Sequence, residues 1–188
     1  MEVAKASGLF DRIIVSSDSD EVGGIASRAR GVQYHRGKAH GDMDTMYDVV
    51  EDVLSRYETL EDHYEYVCLM YACAPFTTVE RLVEGYSKVT QGYDSAIPVY
   101  SGPHCERAMF IRDGALYPRD PLDFVVNSNY WADSLYPAGG WWWAQHSSLM
   151  MYKRMFGSHN WGVVVGRDEI QEIDIEEDWA DAERRYGA

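Results

Sequence analysis

Through residues 11–100, short β-branched runs alternate with helical stretches, and this alternation limits the possible folds more than any single residue does. Residues 11–18 (DRIIVSSD) form a continuous apolar run closed by hydroxyls and a carboxylate. That is the pattern of a strand buried on both faces. A helix is predicted over 18–30, with Asp18 or Ser19 as cap, Asp20 and Glu21 at its positive end, and Gly31 as stop. Residues 32–35 suit a second strand. Residues 44–57 place Met46, Val49, Val50, Val53 and Leu54 on one helical face. A strand over 64–71, a helix from Thr77 or Thr78 to about residue 90, and a strand over 95–100 complete the series. Strands separated by crossover helices predict an α/β fold whose sheet is mostly parallel, with helices on both faces.

Beyond residue 100 the pattern breaks. Gly102-Pro103, Asp113-Gly114, Tyr117-Pro118 and Asp120-Pro121 are turn signals around a short strand at 108–112. Residues 101–146 read as a hairpin-rich excursion from one domain spanning 1–188. It ends in Gly139-Gly140 and the aromatic run Trp141-Trp142-Trp143. A short helix to about residue 155, a strand over 161–165 and a closing helix over 178–186 follow. A helix over 1–7, stopped by Gly8, precedes the first strand.

The 17 Lys and Arg against 31 Asp and Glu give a formal charge of −14. Such a surface repels phosphate backbones and argues against nucleic-acid binding, though a local pocket can still take a small anion. No apolar run approaches the ~20 residues of a membrane span, and residues 1–10 lack the pattern of a signal peptide. Three cysteines without C-x-x-C spacing point to a reducing, cytoplasmic setting with thiols used as packing.

In parallel sheets, ligands gather where strands lead into helices, here at Ser16-Ser17-Asp18 and at Tyr71 to Phe76; ordinary caps and turns compete equally at both. Glu172 and Asp174, if extended, project to the same side. Two adjacent carboxylates can hold Mg²⁺, the alternative being a solvated acidic run leading into a helix start. The six histidines form no H-x-x-H or H-E-x-x-H group, and no serine sits in a G-x-S-x-G elbow. Cys73 reads as a packed thiol. Arg36, Lys38 and Arg107 are basic residues near predicted strand ends. The tryptophan run suits core on one face and subunit contact on the other.

Three segments, taken together, resemble one family. Residues 7–18 (SGLFDRIIVSSD) resemble the S-G-L-F-D-x-I-x-V-S-T-D segment of the CMP-nonulosonate synthetases. Residues 71–76 (YACAPF) look like the Y-A-T-A-P-F strand exit of the pseudaminic acid cytidylyltransferases. Residues 170–179 are similar to that group's V-Q-D-I-D-T-x-E-D-W close. The resemblance implies a Rossmann-like nucleotide-diphospho-sugar transferase fold, dimeric through the hairpin excursion. It also implies Mg²⁺-dependent transfer of CMP from CTP to a nine-carbon sugar acid, with release of pyrophosphate. By the same resemblance Glu172 and Asp174 would hold the metal, and Arg36, with Ser17 and Asp18, would face the nucleotide. Tyr71 and Ala72 would line the sugar pocket, and Arg107 would face the sugar acid. Glu172 and Cys73 stand where the family has aspartate and threonine. The family's first strand and Gly/Arg/Lys-rich loop have no counterpart ahead of residue 1, so a truncated chain is expected. A non-catalytic homologue that binds nucleotide or sugar, or serves as a partner subunit, is the alternative expectation.

Overall fold

Side-chain caps set where three helices begin in the computed structural model, which describes residues 1–36, 44–58, 63–102, 108–120, 125, 127 and 134–187. Gly8, in the left-handed region at φ 65°, closes α1 (Glu2–Ser7). After β1 (Ile14–Ser17), the Ser19 hydroxyl accepts the Val22 N–H and opens α2 (Asp20–Arg28). β2 (Gln33–Arg36) leads toward α3 (Met46–Tyr57), which starts in a reciprocal box between Thr45 and Asp48. β3 (Tyr66–Met70) is followed by α4 (Val79–Thr90), where Thr78 caps through the Arg81 N–H. The sequence periodicity thus places every element of this half within a few residues.

The second half runs β4 (Ser95–Ser101), the hairpin β5 (Met109–Arg112) and β6 (Ala115–Pro118), then β7 (Leu135–Pro137) and β8 (Trp141–Gln145). After these come α5 (His146–Tyr152), β9 (Asn160–Val164), a 3₁₀ turn at Arg167–Glu169, and α6 (Glu176–Tyr186). α6 begins two residues before the expected 178 because the Asp178 carboxylate accepts the Asp174 and Ile175 N–H groups from inside the first turn.

The expectation of a mostly parallel sheet is corrected. β1 and β2 pair in parallel as a two-stranded sheet, and β4 pairs in parallel with β9. The centre is antiparallel: β8 lies between β3 and β4 and opposes both, while β7 opposes the far half of β4. The chain leaving the excursion returns into the middle of the sheet instead of onto its edge. One strand running the other way there makes all its pairings antiparallel.

Helices do cover both faces of this sheet. Trp141 and Trp143 of β8 point with Cys68 and Met70 toward α4 and α1, in a core with Leu82, Val89 and Val163. Trp142 and Ala144 point the other way with Val67 and Leu69, toward Tyr47, Val50 and Leu54 of α3 and Leu149 of α5. This is the period-two alternation of a strand buried on both faces. The Trp143 indole N–H donates to the Leu82 carbonyl at 3.0 Å, and its ring stacks on Phe10 at 5.1 Å. Gly85 of α4 is needed here, since a Cβ on it would collide with the Trp141 ring. The tryptophan run is therefore consumed inside the subunit on both faces, which corrects the reading of one face as a subunit contact. Exposed apolar side chains do cluster on the β5–β6 hairpin, where Ile111 is 74% and Leu116 60% exposed.

Candidate functional site

Beyond Met70 the chain leaves β3 and turns toward α4. The Tyr71 N–H donates to the Gly140 carbonyl at 2.9 Å, and the Tyr71 hydroxyl contacts Met46 Sδ at the first turn of α3. Ala72 is exposed on the turn. Facing them, Gly139 and Gly140 at φ 68° and 89° make the jog that moves the chain from pairing β4 as β7 to lying between β3 and β4 as β8. L side chains rarely adopt that backbone. A Cβ on Gly139 would also strike the Glu172 carboxylate, so Glu172 lies directly across the glycine.

The segment that carries Glu172 is clamped from three directions. At its start, Arg81 of α4 grips Glu169 with two parallel bonds, Nε to Oε2 at 2.8 Å and Nη2 to Oε1 at 2.9 Å, and reaches Glu84 at 3.0 Å. Arg185 of α6 donates to the Ile170 carbonyl at 2.7 Å and to Gln171 Oε1 at 2.8 Å, with its guanidinium over the Phe76 ring. Beyond both, the Ile173 N–H donates to the Cys73 carbonyl at 3.0 Å, docking the segment on the β3 exit. Residues 171–174 alternate half-buried and exposed, so Glu172 and Asp174 share the outward side, as their spacing predicts.

The electrostatics follow from these contacts. The bonds from Arg81, helped by the Gly166 N–H, hold the Glu169 carboxyl down at about 2. Hydrogen bonding to Glu169 and Glu84 raises the Arg81 guanidinium in turn. Burial raises the Tyr71 phenol, and the nearby Glu172 charge adds to the effect. Tyr71 and Glu172 therefore share one field. Neither the Glu172 nor the Asp174 carboxylate is engaged in a hydrogen bond or ion pair among the described residues. Arg81 and Arg185, the cations of the clamp, are spent on Glu169, on Glu84 and on backbone carbonyls. Two exposed hard-oxygen donors on a fixed backbone fit a Mg²⁺ ion.

A second group lies at the ends of β1 and β2. Ser17 and Arg36 are register partners in the parallel pair, so the two strand exits are side by side. The Tyr34 hydroxyl donates to the Ser17 carbonyl at 2.9 Å, and the Ser17 hydroxyl accepts the Ser19 N–H at 3.1 Å. Ser17 thus already serves the local turn. Asp18 is exposed beside it. The Arg36 side chain, Lys38 and Arg107 lie outside the described residues. Among the described residues, no hydrogen bond or ion pair joins this group to Tyr71 and Glu172.

Sequence reading did not find the Arg81–Glu169 pair, Arg185, or the role of Gly139 and Gly140. The glycine pair was visible as a turn signal. The arginines look like any solvated helix cation until the fold brings partners 88 and 15 positions away within reach.

The family described as cytidylyltransferase matches residues 1–99. Pseudaminic acid cytidylyltransferase of Campylobacter jejuni subsp. jejuni serotype O:2 is 23% identical over 184 residues, covering 95% of this chain and 79% of that protein. Among solved structures, 4-diphosphocytidyl-2C-methyl-D-erythritol synthase from Anaerococcus prevotii superposes with a TM-score of 0.66 at 13% identity, over 100% of this chain and 86% of that one. CMP:2-keto-3-deoxy-manno-octonic acid synthetase complexed with CTP gives a TM-score of 0.61 at 10% identity, over 97% and 83%. At these identities the structures speak for the fold alone.

Proposed function

Since the chain belongs to the cytidylyltransferase family of nucleotidyltransferases, we propose that it transfers CMP from CTP to a nine-carbon nonulosonic acid of the pseudaminic or sialic type. The anomeric hydroxyl oxygen would form the new bond to the α-phosphorus, losing its proton, while the bond to pyrophosphate breaks. Such a transfer needs charge neutralisation and in-line positioning more than a protein nucleophile. That is consistent with a site built from carboxylates, a tyrosine and backbone.

The observation that carries this reading is the clamped segment, which presents Glu172 and Asp174 beside the β3 exit with no cation on either among the described residues. These two residues would hold Mg²⁺, whose chemistry is to neutralise charge on the phosphates. Tyr71 and Ala72 would form one wall of the sugar pocket, with Arg107 toward the sugar carboxylate. Ser17, Asp18 and Arg36, at paired strand exits, would face the nucleotide. The setting would be cytoplasmic; no described helix is long and apolar enough to cross a membrane.

Pyrophosphate release from CTP and pseudaminic acid tests the reaction directly. CTP is also expected to raise the melting temperature only when Mg²⁺ is present. The Glu172→Gln, Asp174→Asn double variant should lose that increment while melting normally without ligand. An undiminished increment in the double variant would remove the metal assignment. CTP stabilisation with no turnover would favour a non-catalytic homologue.

A homodimer is proposed through the β5–β6 hairpin, whose apolar side chains Met109, Phe110, Ile111 and Leu116 stand outside the subunit. Ile111→Asp should shift the sedimenting species toward monomer and leave the unfolding free energy of the monomer within about 0.5 kcal/mol of the parent's. An unchanged distribution would remove the hairpin from the interface.

A further inference from the structure

Away from the candidate active site, three chain segments bring two imidazoles and a carboxylate together. Glu58 follows α3, where its N–H donates to the Leu54 carbonyl at 2.8 Å. His63 lies just ahead of β3. His146 opens α5 directly after β8. The antiparallel register that pairs Tyr66 with Gln145 is extended by the His146 N–H donating to the Glu65 carbonyl at 2.9 Å, which sets His146 across from the chain that carries His63. The two rings meet edge to face at 4.8 Å. Glu58 Oε1 is 3.2 Å from His146 Nε2 and 3.7 Å from His63 Nδ1. All three donor atoms lie within 4.8 Å of one another.

Among the described residues, the inner atoms of this cluster are poorly served by protein. Glu58 Oε1 and His146 Nε2 are both closed to solvent, and despite their 3.2 Å separation they are not aligned as a hydrogen bond. Leaving buried polar atoms unpaired is costly, so such atoms in a folded protein ask for a further partner. A cation between them would satisfy both. Donors on a tetrahedral zinc ion sit about 3.3 Å apart, as two bonds of about 2.0–2.1 Å require. Two of the three spacings are already near this value. His63, with its side chain 68% exposed, is free to close the third.

We propose that Glu58, His63 and His146 form a binding site for a divalent transition metal of the zinc class, joining the end of α3 to the start of β3 and the β8–α5 junction. Imidazole nitrogens select Zn²⁺, Co²⁺ or Ni²⁺ over Mg²⁺, which prefers oxygen donors. The site is therefore chemically distinct from Glu172 and Asp174 and does not depend on the reaction proposed above. Its effect would be to brace the sheet edge, seen as a higher melting temperature with Zn²⁺.

The test uses the full chain stripped with chelator and titrated with Co²⁺, followed by visible absorption, and with Zn²⁺, followed by calorimetry and melting. One equivalent should bind, with an imidazole-type Co²⁺ spectrum and with no competition from millimolar Mg²⁺. His63→Ala, at an exposed position where folding is not at stake, should weaken binding at least tenfold and abolish the melting increment. His146→Gln should do the same if it folds. The Glu172→Gln, Asp174→Asn variant should bind as the parent does. Absence of stoichiometric binding, equal affinity in His63→Ala, or loss of binding in the Glu172/Asp174 variant would each overturn the proposal.

Discussion

β8 and the segment at residues 167–174 flank the same glycine jog, yet they are held in opposite ways. β8 is paired on both edges and buried on both faces, with Trp141 and Trp143 each 2% exposed. The 167–174 segment is in no sheet; two arginines hold its first part, at residues 168–171, and a single backbone bond from Ile173 to Cys73 holds its far part. Burial of large apolar surface stabilises strongly but sets position only as well as side chains pack. Bidentate and backbone hydrogen bonds contribute little net stability at a half-exposed site, but they fix geometry narrowly. The molecule thus uses its strongest hold where the fold must survive. It uses its most directional hold on the segment that presents Glu172 and Asp174.

Truncating the buried side should therefore have the largest effect. Trp143→Ala removes a ring that fills the core, stacks on Phe10 and donates to Leu82, and should cost about 3–5 kcal/mol in urea unfolding. Trp143→Phe keeps most of the packing and should lose clearly less. A loss of under 1 kcal/mol for the alanine variant would mean that β8 is not the keystone of this sheet.

What was legible in the sequence follows the same division. The caps at Ser19 and Thr78 and the helical face of residues 44–57 are local, and residue type and periodicity reveal them. The outward pairing of Glu172 and Asp174 is also local, because an extended chain alternates. The slot that β8 occupies is not local. Its partners are decided by where a long excursion returns, and an aromatic run looks the same whether it is paired on two edges or lies at an interface. Arg81 with Glu169, and His63 with His146, are equally invisible, since no spacing rule links residues more than eighty positions apart. The outward pair of carboxylates could be read directly, while the groups that hold their segment could not.

The smallest expected effect separates the two kinds of hold most sharply, because only one of them titrates. Glu169 is held at about 2 by Arg81 and the Gly166 N–H, against about 4.3 in the unfolded chain. The folded-state value is the lower one, so the unfolded state binds the proton first as pH falls. The contribution is then complete above about pH 4.3 and is lost as pH drops through about 2. Both partners are partly exposed, so the pair contributes only about 0.2–1 kcal/mol. Arg81→Met should remove this increment at pH 7 and flatten the stability profile between about pH 4.3 and 2. Glu169→Gln should flatten it further, since Arg81→Met leaves the Gly166 N–H bond to lower the carboxyl. Asp94 keeps an acid-side slope of its own in both variants. Burial raises its carboxyl, but donors from Ser148, His159 and Ser158 outweigh that and leave it lowered. Trp143→Ala should shift the whole profile down without changing its shape. If Arg81→Met leaves stability and its acid profile almost untouched but abolishes the Mg²⁺-dependent CTP increment, the clamp serves position rather than stability. If it costs as much stability as Trp143→Ala, the distinction between the two holds fails.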